Sequence, residues 1–252
     1  MSLLAVERMK LASTRSPWWS AGAAVVTSVG LTALLLASST KFEGEATLAT
    51  TQFAYQFAMT LIMVMATLAA TTEYRVGTIK TTFLAVPRRK SVLTAKAAVV
   101  GLVSGLVGIV TAFASWALGV ALLPGVDLSL NTVDAWRQVG GVGLVFMFAG
   151  ILAVGIGVLL RHTAAAVTAL LVWVLVAEKL LVAMPGIGAQ VQGWLPFSAA
   201  NTFLTAGVPS AQGSGAPVTG LQDSPWMALA YFAAICVGTM VVALFVADRR
   251  DA

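Results

Sequence analysis

Ionisable side chains inside apolar runs are the first candidates for chemistry in this chain. Glu178 and Lys179 lie late in such a run. An ionised group held in hydrocarbon costs a few kcal/mol or more unless it is paired, so it marks a candidate functional position. The two are adjacent, and a helix points neighbours in different directions, so they are poor partners for each other. Two readings stay open. In one, Glu178 turns inward to a partner on another helix or on a second subunit while Lys179 snorkels. In the other, both sit at the membrane interface with no special role.

The second concentration of polar chemistry is residues 73–90, from Glu73 to Lys90, between two long apolar runs. Read as a helix, Val76, Ile79, Phe83 and Val86 form an apolar stripe, with Arg75, Lys80 and the threonines on the other faces. Glu73 is placed near the helix start, where a carboxylate favours the dipole, and Pro87 fits a stop. The segment therefore reads as a short amphipathic helix that ends in the basic cluster Arg88, Arg89 and Lys90. That cluster is a topology signal and an anchor to anionic headgroups.

Other chemistries lack their residues. There is no G-x-x-x-x-G-K-[ST] loop to cradle a nucleotide phosphate, no H-E-x-x-H and no G-x-S-x-G. With one histidine, His162, a histidine-based metal site is disfavoured. No catalytic group and no cofactor is expected on this chain. The one cysteine, Cys236, lies in an apolar run, so no intrachain disulfide can form. Cys236 and Met59, Met63 and Met65 read as packing residues.

These positions must be held by spanning helices. The chain is 59% hydrophobic and 10% charged, where a soluble domain carries about a quarter charged residues. That much apolar surface has no single aqueous core to enter, so the expected class is an all-α integral membrane protein forming one domain over residues 1–252. Six runs are long enough, at about 20–38, 53–72, 92–123, 139–160, 163–183 and 227–247. The third is over-long and must tilt or extend beyond the bilayer. Its Gly101 and Gly105 have the spacing of close helix contact. The net charge of +5 flanks the spans and forms no aromatic-interleaved stripe, so nucleic acid is not an expected partner. Six spans put 12 of the 15 Lys and Arg residues on one side. By the positive-inside rule both termini and residues 73–90 are then cytoplasmic, on the inner membrane.

Residues 1–19 interleave Glu7, Arg8, Lys10 and Arg15 with apolar side chains and end in Trp18 and Trp19. They read as an interfacial helix, with Arg15 and the tryptophans at headgroup level. Arg161-His162 is a tight turn between the fourth and fifth spans. The outer segment 184–226 begins with an apolar part, too short and interrupted to span, that suits a re-entrant or interfacial helix pair. From Pro209 to Pro225 it is rich in Gly, Ser and Pro and reads as a surface loop.

Glu73-Tyr74-Arg75-x-Gly77-Thr78-Ile79-x-Thr81-Thr82, followed by Pro87-Arg88-Arg89 and Ala95-Lys96, resembles the cytoplasmic segment between spans two and three of type-2 ABC transporter permeases. Glu7, Lys10-Leu11, Ser13, Arg15-Ser16 and Trp18-Trp19, and Leu195-Pro196 in the last outer segment, are similar to that family too. The resemblance implies that 73–90 is a coupling helix docking on a separate ATP-binding subunit through Glu73, Tyr74, Arg75, Val76, Gly77, Thr78, Ile79, Lys80 and Thr82. Gly77 would permit close backbone approach there. It implies two ATP-binding subunits, carrying ATP and magnesium, and a second permease, identical or paralogous. It also implies outer re-entrant helices that cap a path for which Glu178, Trp173, Phe197 and Asn201 are candidate lining or gating residues. The function expected is ATP-driven export of a hydrophobic or amphipathic cargo such as a drug, antibiotic, lipid or peptide. The alternative is a secondary transporter or channel with no ATPase partner.

Overall fold

The computed structural model describes residues 3–38, 47–78, 89–205 and 224–250. These fold into helices and turns, without a strand among them. A short helix α1 (Leu3–Ser13) leads into the first long helix, α2 (Arg15–Ser38). One further turn, α3 (Leu48–Thr51), precedes α4 (Tyr55–Val76). Helices α5 (Arg89–Leu122) and α6 (Val133–Leu160) follow. The next long helix is composite: α7 (Thr163–Leu171), a π-helical turn at Val172–Ala177, and α8 (Glu178–Val182). Two short helices, α9 (Gly188–Gln192) and α10 (Pro196–Thr205), come before the last, α11 (Pro225–Arg250). Among the described residues six helices are long and apolar enough to cross a membrane, as the sequence reading requires.

Local chemistry sets the boundaries. The expected helix at 1–19 ends at Ser13 instead. Pro17 has no N–H to give the carbonyl four residues back, and its ring crowds that carbonyl, so the chain breaks there. Pro17 then fits within the first turn of α2, where N–H groups have no helical partner anyway. Trp18 and Trp19 consequently belong to the first long helix. The fourth span begins earlier than its apolar run because Thr132 caps it, its hydroxyl accepting from the Ala135 N–H at 3.1 Å. The tight turn after it is made by Arg161 in the left-handed region (φ 53°) and by His162, whose Nδ1 accepts from the Ala165 N–H at 3.2 Å.

The tightest seam joins α5 to α6. A Cβ added at Gly105 would lie 3.2 Å from the Gly143 carbonyl oxygen, so the two backbones approach as closely as the small residues allow. The 34 residues of α5 make it about 50 Å long at 1.5 Å per residue, well beyond the hydrocarbon thickness. The core fills the space between α4, α6 and α11 with Met59, Met63, Phe146, Phe203, Phe232 and Cys236, all buried.

Ionic contacts and helix caps gather at the two ends of this bundle, while between them Ser28 of the first span meets Ser115 of the third at 3.1 Å. The near end holds α1, the close of α4, the start of α5, the turn at 161–162 and the close of α11. The far end holds the start of α4 and of α6, and all of α8, α9 and α10.

Candidate functional site

At the near end, α4 runs on through Glu73, Tyr74, Arg75 and Val76 and stops at Gly77. This corrects the expectation that Glu73 opens a helix. Glu73 lies in the last turn of α4, where unpaired carbonyls carry partial negative charge and repel a carboxylate. Two ammonium groups offset that repulsion. Glu73 Oε1 accepts from Lys96 Nζ at 2.9 Å and from Lys10 Nζ at 3.1 Å. The same two lysines bind Glu7, at 2.6 Å from Lys96 and 2.9 Å from Lys10. The four charges sum to zero, and Lys96 and Glu7 are almost completely buried. The cluster fastens α1 to the end of α4 and to α5. For Lys10, burial alone would lower the ammonium pKa, but the carboxylates of Glu7 and Glu73 outweigh it and hold the group above its ordinary value of 10.5.

The segment read as a docking surface divides in two. Glu73 faces its own chain, and so does Tyr74, whose ring lies beneath the Arg161 guanidinium at 5.2 Å. Arg75, Val76, Gly77 and Thr78 are exposed. Gly77 adopts φ 78°, which L side chains rarely take, and among the described residues a Cβ there would meet nothing within 4 Å. Its requirement is therefore conformational; close approach by a neighbour is not what selects it within this chain. Ile79, Lys80, Thr82 and Arg88 lie outside the described residues. Of the anchor positions, Arg15 opens α2, and Trp18 and Trp19 are exposed in its first turns. Trp18 also donates its indole N–H to the Ala12 carbonyl at 3.3 Å, satisfying one end of α1. Arg89 opens α5, and Lys90 pairs with Asp248 on the last helix at 3.0 Å.

At the far end, the inward reading of Glu178 is the one the structure takes. Glu178 is buried and Lys179 exposed. The carboxylate accepts from the backbone N–H of Phe197 and of Ser198, both at 3.1 Å, and from the Trp173 indole N–H at 3.1 Å. The π turn explains the last contact. In a π-helix residues five apart stack along one face, so Trp173 reaches Glu178. Glu178 thereby serves as the cap of α10, whose own preceding residue, Leu195, has no side-chain acceptor. Asn201 lies on α10 and accepts from the Tyr55 hydroxyl at 3.2 Å. Phe197 packs on Phe232 of α11 with ring centroids 5.7 Å apart. Of the four residues named for this end, Phe197 and Asn201 lie on α10, Glu178 caps it, and Trp173 reaches it only through Glu178.

Sequence reasoning missed Tyr55, which bonds Asn201, and the pairing of Lys96, as well as Arg137, whose guanidinium donates to the Phe203 carbonyl at the close of α10. Lys96 was readable as part of the family-like pattern and as a topology signal, but its pairing was not, because its partners lie 23 and 89 positions away. Among the described residues no cluster of His, Cys, Asp or Glu is suited to a metal ion.

Among the described residues, six helices long and apolar enough to cross a membrane, with ionic and capping chemistry at the two ends of their bundle, mark a multi-pass integral membrane protein. The chain belongs to the ABC-2 family of transporter proteins: the family model described as ABC-2 family transporter protein matches residues 3–184. No curated protein matches the sequence significantly. The protein is accordingly a membrane permease of an ABC transporter, a kind of system that typically includes an ATP-binding partner. The matched stretch contains the near-end cluster and Glu178, and α9, α10 and α11 lie beyond it.

Proposed function

We propose that this permease exports a hydrophobic or amphipathic cargo across the cytoplasmic membrane, driven by a separate ATP-binding subunit that docks at the near end. ATP, magnesium and hydrolysis belong to that partner, and this chain contributes no catalytic group. Two partner subunits and two permeases, identical or paralogous, make the working unit. Both termini and the near end face the cytoplasm, consistent with the crowding of Lys and Arg there.

The observation that carries this reading is the contrast within one turn of α4. Glu73 and Tyr74 are fastened to α1, α5 and the 161–162 turn, while Arg75 to Thr78 stand exposed just beyond. A surface that receives force must be accessible on one side and stiff on the other, and this end of α4 is both. Motion imposed at 75–78 would pass directly to α1, to the second and third spans, and to Arg161 at the close of the fourth. At the far end, α9 and α10 would cap the path as a re-entrant pair. Glu178 is occupied by backbone and indole donors, which favours a fixed structural post over a proton relay and disfavours a secondary transporter.

The test is co-purification with a candidate Walker-motif ATPase. Arg75→Glu should leave the permease inserted but weaken that association or uncouple hydrolysis from transport. Full transport by Arg75→Glu would count against docking at this turn.

A further inference from the structure

We infer that Arg137 and Glu178 clamp α10 by its two ends, which makes Arg137 a positioning residue for the far-end cap. The inference rests on the reading of α10 as that cap. Helix α10 has ten residues, so about four N–H groups at its start and four carbonyls at its close lack helical partners. At the start, Pro196 has no N–H, and the next two, Phe197 and Ser198, donate to the two oxygens of Glu178. At the close, the Phe203 carbonyl accepts from Nη1 of Arg137. The guanidinium also lies over the Phe203 ring, 6.0 Å from its centroid, and pairs through Nη2 with Asp134 at 2.9 Å.

Each charge is opposite in sign to the dipole end it touches. A surface helix is commonly capped by its own flanking residues. Here both caps arrive from elsewhere, and from different spans: Arg137 from the first turns of α6, Glu178 from the composite fifth span. Both are about 95% buried. Helix α10 is therefore a rigid strut between the far ends of the fourth and fifth spans. Those ends cannot separate while both clamps hold, so releasing the cap requires breaking one of them.

The clamp can be read without measuring transport. Thr202→Cys places a thiol on α10, where the native hydroxyl bonds only within the helix, to the Ser198 carbonyl at 3.0 Å. In a Cys236→Ser background it is the sole thiol of the permease, whose labelling is read on its own band. The permease and its ATP-binding partner, held in nanodiscs, would be labelled with a maleimide. Arg137→Gln and Glu178→Gln should each raise the labelling rate about fivefold, the population change that loss of one helix cap corresponds to. Arg137→Lys keeps the charge without the planar fork, so its rise should be smaller, and it replaces Arg137→Gln if that variant does not accumulate. Unchanged labelling in either the Arg137 or the Glu178 variants would overturn the clamp, whatever happens to transport. Raised labelling with transport intact would uphold the clamp and overturn the reading of α10 as the cap.

Discussion

Lys96 and Glu7 meet at 2.6 Å, both almost fully buried, across 89 positions of sequence. Through this pair the N-terminal helix is fixed to the third span, and through Glu73 and Lys10 the same cluster reaches the close of the second. Four charges that cancel one another are tolerable at such a place; three are not, because removing one partner leaves an uncompensated buried charge.

Lys96→Met should therefore be strongly destabilising, by about 3–5 kcal/mol. Adding Glu7→Gln to it should recover part of that loss, since the double change removes a charge of each sign and contacting residues are not additive. Thermal unfolding of the purified permease in detergent would check both. Additive losses would mean that the cluster does not act as a unit.

Alkaline stability should depend on Lys10. Its pKa is raised in the folded state, so its contribution is complete below the ordinary value of 10.5 and disappears as pH rises through the higher folded value. Lys10→Met should lower stability at neutral pH and remove that share of the alkaline loss. Melting curves from neutral pH to above pH 10.5 would show the two proteins converging; parallel curves would contradict the sign.

Gly77→Ala forces a side chain into φ 78°, at a cost of about 1–2 kcal/mol. Gly77→Asn should be milder, because Asn visits the left-handed region more readily. Since α4 ends at Gly77, both should reduce ATP-driven transport in the order of their strain. The comparison is made at matched membrane expression, and equal activities would detach the turn from coupling.

Gly105→Leu should wedge α5 from α6, because even a Cβ would lie 3.2 Å from the Gly143 carbonyl. Overpacking of this kind costs about 1–3 kcal/mol. Gly22 has no such neighbour, so Gly22→Ala serves as the control in the same unfolding measurement.

Apolar length and charge asymmetry made the six spans and the two ends legible, since both are properties of runs rather than of contacts. The inward choice of Glu178 is half legible: adjacency makes Lys179 a poor partner for it, but the capped helix cannot be seen from spacing. The π turn that swings Trp173 onto Glu178 has no periodic signature, and six apolar residues fit either helix equally. Glu73 belongs to the close of α4 although its neighbours read as the start of a new polar segment. Only Lys96 and Lys10, brought close by the fold, make an acid tolerable at the end of α4. Pro17 marks the break after Ser13, although the tryptophans beyond it make residues 1–19 read as one interfacial helix.

The central claim is that this permease is moved by a separate motor acting on the exposed turn at the close of the second span. The most direct measurement is cargo uptake into sealed proteoliposomes containing the permease with and without the ATP-binding partner, ATP being added on the face that carries Arg75. Accumulation that needs both the partner and ATP, and that Arg75→Glu abolishes while the protein still inserts, is the expected result. Uphill accumulation by the permease alone, or accumulation indifferent to Arg75, would contradict it.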